Sequence, residues 1–139
     1  MFRSLALGLL LSVSASPVCF AQTDSPMADA RHIIEQQLAA FERDDAVEAY
    51  SYNAPEIQAL FPGPNEFLTA VAAAYAPMHR HRSVEFGPAA EQNDMVAETV
   101  IFTDDDGQVW TALYKVEKQP KGGWKISGCA LAKADQWDV

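Results

Sequence analysis

"DDDGQVWTALYKVEKQPKGGWKISGCAL", residues 104–131, is the stretch from which the fold can be read. Trp110, Ala112, Tyr114 and Val116 fall on every second position, and after a break Trp124 and Ile126 resume the same spacing. A period of two sends alternate side chains to opposite faces of a strand, so one face of each run is apolar and turned to a core. "DDDG" before the first run and "PKGG" between the two supply the residues that tight turns require. Upstream, Val84 and Phe86 alternate with polar residues, and Val96, Val100 and Phe102 do so less cleanly. The C-terminal half therefore reads as about four strands, mostly antiparallel.

The N-terminal half has the other period. Ser25 can cap a helix that Pro26 opens and Asp29 favours at its positive end. Ala30, Ile33, Ile34, Leu38 and Phe41 make one apolar stripe, which predicts a helix to about Arg43. Asp44 or Asp45 can cap a second, short helix through Ala46, Ala49 and Tyr50. "NAPE" from Asn53 restarts a turn carrying Ile57, Leu60 and Phe61, and "FPGPN" (61–65) then breaks the chain. Asn65 is expected to cap a third helix with Phe67, Leu68, Val71 and Tyr75 on one face. The expected fold class is α+β, with three N-terminal helices packed on one face of a curved, mostly antiparallel sheet of about four strands.

Residues 1–21, "MFRSLALGLLLSVSASPVCFA", have the layout of a secretory signal peptide: Arg3, an apolar core from Leu5 to Val13, then small residues ending at Ala21. The apolar run is shorter than the roughly 20 residues of a membrane span. Attachment through Cys19 is disfavoured by Pro17 and Val18 before it. Cleavage near Ala21 leaves a single α+β domain over 22–139 in the periplasm or secreted. That domain keeps one cysteine, Cys129, so no internal disulfide can form. It carries nine basic against nineteen acidic side chains, a net charge of −10, which argues against nucleic acid and anionic membranes as partners.

"AAFERDDAVEAYSYNAPEIQALF" (39–61), "YAPM" (75–78), "RSVEFG" (82–87), residues 104–120 and "GGWKISGCAL" (122–131) resemble a bacterial family known as domain of unknown function 4864. The resemblance runs from about Ala30 to Leu131, with its most specific pieces in "WTALY" and "W-x-I-S-G-C". It implies a cone-shaped α+β fold of the nuclear-transport-factor-2-like or cystatin-like kind, in which a curved sheet wraps the helices. Such folds host both enzymes and domains that only bind. The resemblance therefore transfers no catalytic residue and no reaction.

Several groups are candidates for chemistry. If the chain is extended after Pro77, "HRHR" puts His79 and His81 on one face, a weak metal pair that lacks a third ligand, and Arg80 and Arg82 on the other. The arginines could grip a carboxylate or phosphate, or pair with the protein's own acids. Asp104, Asp105 and Asp106 are consecutive before Gly107, which fits a hairpin turn better than a calcium loop. Cys129 reads as a small buried hydrophobe, with a partner-linking disulfide or a redox-sensitive thiol as alternatives. A cone pocket between helices and sheet could be lined by Tyr50, Tyr52, Tyr75, Trp110, Tyr114 and Trp124, although aromatics at these spacings also build plain core. An acid or base for that pocket has only His32 and Asp45 as helix-side candidates.

These observations point to a non-catalytic binding or interaction accessory of the bacterial envelope, without a cofactor. It would act on a small molecule or an envelope protein, and two copies could pair through Val109, Thr111 and Leu113 on the outer sheet face. A small lyase or isomerase with an acid or base in the pocket is the alternative, and a metal protein centred on His79 and His81 the third.

Overall fold

Proline and acidic residues set the helix starts. The computed structural model describes residues 25–136, so the leader assigned to 1–21 lies outside the described residues. Pro26 opens α1 (Pro26–Glu42), Pro55 opens α3 (Pro55–Gln58) and Pro64 opens α4 (Pro64–Ala74), at positions where a missing N–H costs no helical bond. At α2 (Ala46–Ser51) the Asp45 carboxylate accepts from the Glu48 amide at 3.1 Å. The expected cap at Asn65 is corrected: Gly63 precedes α4 and Asn65 lies inside it. Ser25 precedes α1, but its side chain makes no capping bond.

A further helical turn, α5 (Ala76–His79), replaces the extended segment expected after Pro77. The Met78 amide donates to the Tyr75 carbonyl at 2.9 Å and the Arg80 amide to the Ala76 carbonyl at 2.9 Å. Pro77 sits in the first turn of this helix, where it is tolerated. Extended backbone begins only at Arg80, so His79 and His81 do not share a strand face.

The strands are β1 (Ser83–Gln92), β2 (Met95–Thr103), β3 (Val109–Lys118) and β4 (Trp124–Lys133), each antiparallel to the next in the order β1-β2-β3-β4. A two-residue turn at Asn93 and Asp94, both with positive φ, joins β1 to β2. Gly107 (φ 82°) serves the same purpose between β2 and β3. Register shifts at Phe86/Ala89 and at Lys115/Val116 are bulges that bend the sheet.

Val96, Glu98, Val100 and Phe102 on β2 and Ala112, Tyr114 and Val116 on β3 are fully buried on the inner face. α1 contributes Ile34, Leu38 and Phe41 to the same core. Complete burial of such a side chain contributes about 1.5–3 kcal/mol. The outer face carries Thr99, Ile101, Thr111, Leu113 and Ala130 in adjoining register positions, with Val109 and Leu113 exposed. Among the described residues no helix is long and apolar enough to cross a membrane.

Glu98 breaks the apolar alternation of β2. One carboxylate oxygen accepts from Arg31 of α1 at 3.2 Å, while the other is buried without a partner. Arg31 in turn lies 4.9 Å over the Phe86 ring. Burial raises the Glu98 pKa above its ordinary value, against the opposing pull of Arg31. The native state therefore holds this proton more tightly than the unfolded chain, and the contribution to stability is lost as pH rises through the folded value. A Glu98→Gln variant should gain melting temperature relative to the parent as pH rises from 4 to 8; a constant difference in paired melting curves would refute this account.

Candidate functional site

The inner row of the sheet leads to the site. Ala89, Glu98, Tyr114 and Cys129 are successive cross-strand partners on one face, and neighbouring side chains in such a row stand about 5 Å apart. Over the β4 end of this row the helical layer leaves a cavity of about 160 Å³. Tyr114, Ile126 and Cys129 form its sheet side, Phe41 and Gln37 come from α1, and Phe67, Ala70 and Val71 from α4. Ile57, Leu60 and Phe61 stand at its mouth, where Leu60 is 71% exposed.

Local hydrogen bonding fixes the mouth. The Tyr50 hydroxyl donates to the Gln58 carbonyl at 2.7 Å, and the Gln58 amide returns bonds to the Tyr50 and Asn53 carbonyls at 3.2 and 3.1 Å. Asn53 pairs parallel to Ile126 of β4, with the Ala54 amide on the Ile126 carbonyl at 2.8 Å and the Ile126 amide on the Tyr52 carbonyl at 2.9 Å. This short strand-like bridge carries the Asn53 side chain to the cavity wall.

Among the described residues no aspartate, glutamate, lysine, arginine or histidine lines the cavity. Its ionisable groups are tyrosines and Cys129. Burial, with the nearby Cys129, raises the Tyr114 hydroxyl well above its ordinary range, and burial pushes the Cys129 thiol up to about 12. The wall is therefore uncharged at ordinary pH. Cys129 lies 3.8 Å from the Met78 sulfur, and its raised pKa opposes thiolate nucleophilicity.

Of the six aromatics expected around a pocket, the cavity takes in Tyr75 and Tyr114. Tyr50 packs at a tilt against Phe67, ring centroids 5.7 Å apart, and Tyr52 donates to Glu48 at 2.8 Å. Trp110 donates its indole N–H to Asp104 at 2.9 Å, and Trp124 is core. His32 is exposed and Asp45 is a helix cap. Gln37 and Asn53 were missed as lining residues, because polar amides inside a helix and a loop carry no periodic signal.

The "HRHR" run fastens α5 to the end of α1. His79 Nε2 meets Asp44 at 2.7 Å, and Arg80 donates to Asp44 at 2.7 Å and to the Phe41 carbonyl at 2.7 Å. His81 Nδ1 meets the Pro77 carbonyl at 3.0 Å, with its ring 5.2 Å from that of Phe102. Arg82 donates to the Asp105 carbonyl at 2.6 Å. Asp104 accepts from the Asp106 and Gln108 amides at 3.0 and 2.9 Å, so this acid organises the β2–β3 turn. Among the described residues no three histidine, cysteine, aspartate or glutamate side chains are grouped to hold a metal ion.

A curved antiparallel sheet wrapped on a helical layer, with a pocket between them, defines a nuclear-transport-factor-2-like cone fold. The chain belongs to the domain of unknown function family DUF4864, whose profile matches residues 23–139. No curated protein matches the chain in sequence. Among solved structures, a ketosteroid isomerase-like protein from Erwinia carotovora atroseptica SCRI1043 is similar at a TM-score of 0.56 and 14% identity, over 80% of this chain and 98% of that one. A protein from Catenulispora acidiphila in complex with S-DNPA has a TM-score of 0.53 and 12% identity, over 80% and 95%. Another structure from Catenulispora acidiphila has a TM-score of 0.52 and 15% identity, over 80% and 93%. At these identities the likeness is one of fold.

His79 and Arg80 both lower the Asp44 pKa, the bond from His79 most strongly. The resulting stability is present above the unfolded pKa of about 4 and is lost as pH falls through the lower folded value. An Asp44→Asn variant should melt below the parent at pH 7, and the gap should close toward pH 3. Equal melting at pH 7 would show that the clasp contributes nothing.

Proposed function

We propose that this chain is an exported, non-catalytic domain that binds a small, mostly apolar molecule in its cone cavity. The observation that carries the reading is the cavity itself: about 160 Å³, opening beside an exposed leucine, walled by apolar groups and free of ionised side chains. A cavity of about 150 Å³ lined by apolar side chains is large enough for benzene, which sets the size class of the occupant. A general base must reach the proton it removes, and no carboxylate or imidazole stands in this wall. The Catenulispora acidiphila protein in complex with S-DNPA supports small-molecule binding on a related fold. Export to the periplasm or beyond is supported by the leader pattern in residues 1–21 and by a family match that begins at residue 23.

An isomerase or lyase reading has one observation in its favour, the buried acid Glu98 beside Tyr114 on the adjacent strand. Glu98 stands outside the cavity lining, so the binding reading is preferred.

An Ala70→Phe substitution should fill the cavity from the α4 side while leaving the sheet intact. Titration with toluene or indole, followed by ligand-observed NMR, should show binding to the parent and loss of at least tenfold in the variant. Absence of binding to the parent would remove the reading. The outer sheet face we assign to a second copy, because in a chain of net charge −9 the strip of Thr99, Thr111, Leu113 and Ala130 is uncharged, with Glu85 kept to its edge opposite Ile101. Sedimentation equilibrium should give a dimer that Leu113→Glu dissociates; a monomeric parent at tens of micromolar would reject that assignment.

A further inference from the structure

The unsatisfied polar groups of the cavity share one chemical character. Gln37 Nε2 donates to the Ala49 carbonyl and to Asn53 Oδ1, both at 3.0 Å, which uses both of its protons. That arrangement also fixes the Asn53 amide: Oδ1 must face Gln37, since the flipped amide would set donor against donor. Asn53 Nδ2 is left buried with no acceptor. On the sheet side, the Tyr114 hydroxyl is likewise buried without a partner. Both residues line the cavity, and both are nine-tenths or more buried. Buried donors without acceptors are rare because each forfeits the hydrogen bond it made to water.

We infer that the cavity recognises an uncharged, ring-sized molecule bearing a carbonyl oxygen, such as a cyclic ketone or lactone, with Tyr114 and Asn53 as its hydrogen-bond donors. This inference rests on the reading of the cavity as a ligand pocket and narrows it. A carbonyl oxygen has two lone pairs and no proton, so it complements donors and makes no demand for a buried acceptor. An anion finds no cation in the lining and has the Glu98 carboxyl on the strand next to Tyr114, so carboxylates and phosphates are rejected. An ammonium finds no carboxylate in the lining. Tyr114 remains a donor throughout the ordinary pH range because its hydroxyl is raised well above 10. The volume admits one ring with small substituents.

The test uses the untagged protein and three probes: cyclohexanone, the isosteric hydrocarbon methylenecyclohexane, and cyclohexanecarboxylate. Tyr114→Phe deletes only the unpartnered hydroxyl, so the variant should melt no lower than the parent. It should weaken cyclohexanone binding by roughly tenfold, the worth of one hydrogen bond in a dry site, and leave methylenecyclohexane binding unchanged or tighter. Cyclohexanecarboxylate should not bind either protein at neutral pH. The carbonyl stretch of labelled cyclohexanone should lie lower in the parent complex than in hexane, a readout that needs no variant. Equal losses for ketone and hydrocarbon, or a hexane-like carbonyl stretch, would overturn carbonyl recognition while leaving the pocket reading standing. If neither neutral probe binds the parent, the pocket reading falls, and the inference with it.

Discussion

Because strands place every second side chain on the same face, β2 and β3 must send Glu98 and Tyr114 into the helical layer along with the valines around them. A one-residue slip would expose both, but it would also expose Val96, Val100, Phe102, Ala112 and Val116, so the apolar majority holds the register. Two polar side chains are thereby carried inside by neighbours that have no polar business there. Glu98 is met from above by Arg31, whose guanidinium bridges the carboxylate and the Phe86 face. The Tyr114 hydroxyl finds no hydrogen-bond partner in the protein, and the cavity begins beside it.

The cavity's rim is tied both by hydrogen bonds and by the edge-on contact of Phe61 with Phe67. Residues 50–58 close on themselves through Tyr50 and Gln58, then dock on β4 through the bridge at Asn53 and Ile126. A loop held at both ends in this way cannot collapse inward to fill the space beneath it. On the opposite side, α5 is pulled toward the end of α1 by Asp44, which adopts a positive φ of 54° and receives both His79 and Arg80. Met78 rides on this turn and reaches the cavity wall. The clasp and the loop thus brace the helical layer from two sides, and each also adds a buried apolar side chain, Met78 from the clasp and Ala54 from the loop.

How much of this was legible in the sequence depends on whether a residue's role follows from its spacing. Trp110, Ala112, Tyr114 and Val116 announced β3, and the glycines of "DDDG" and "PKGG" announced its turns, because alternation and positive φ are local properties. The Asn93–Asp94 hairpin was as local but was overlooked, its residues lying in a polar run without glycine. The untidy alternation of β2 was Glu98 itself: a charged residue at an inward position reads as noise until its partner, 67 residues away, is known. α5 escaped because Pro77 counts as a breaker unless it lies in a helix's first turn, and only the preceding residues' conformation decides that. Tyr75 and Tyr114 were legible as aromatic pocket candidates, whereas Tyr50, Tyr52 and Trp110 found hydrogen-bond partners elsewhere that no pattern marks.

Structural likeness at 12 to 15% identity extends to the cone and stops at its lining, since a pocket's chemistry resides in a few side chains that such divergence replaces freely. In this chain the lining is neutral by two separate means. Ionisable carboxylates and imidazoles are placed outside it, in the clasp, the turn and the Arg31 pair, and inside it burial holds Tyr114 and Cys129 protonated. An acidic chain whose described residues keep carboxylates and cations out of the wall of this cavity, yet leave an amide donor and a phenol there, has a surface suited to water and a cavity suited to something less polar. Gln37 is central to that division. By spending both protons on Ala49 and Asn53 it satisfies two acceptors at once and turns the remaining Asn53 donor loose. A leucine at position 37 would leave the Ala49 carbonyl without this donor and the Asn53 amide free to flip, and the sign of the cavity's polar face would no longer be defined.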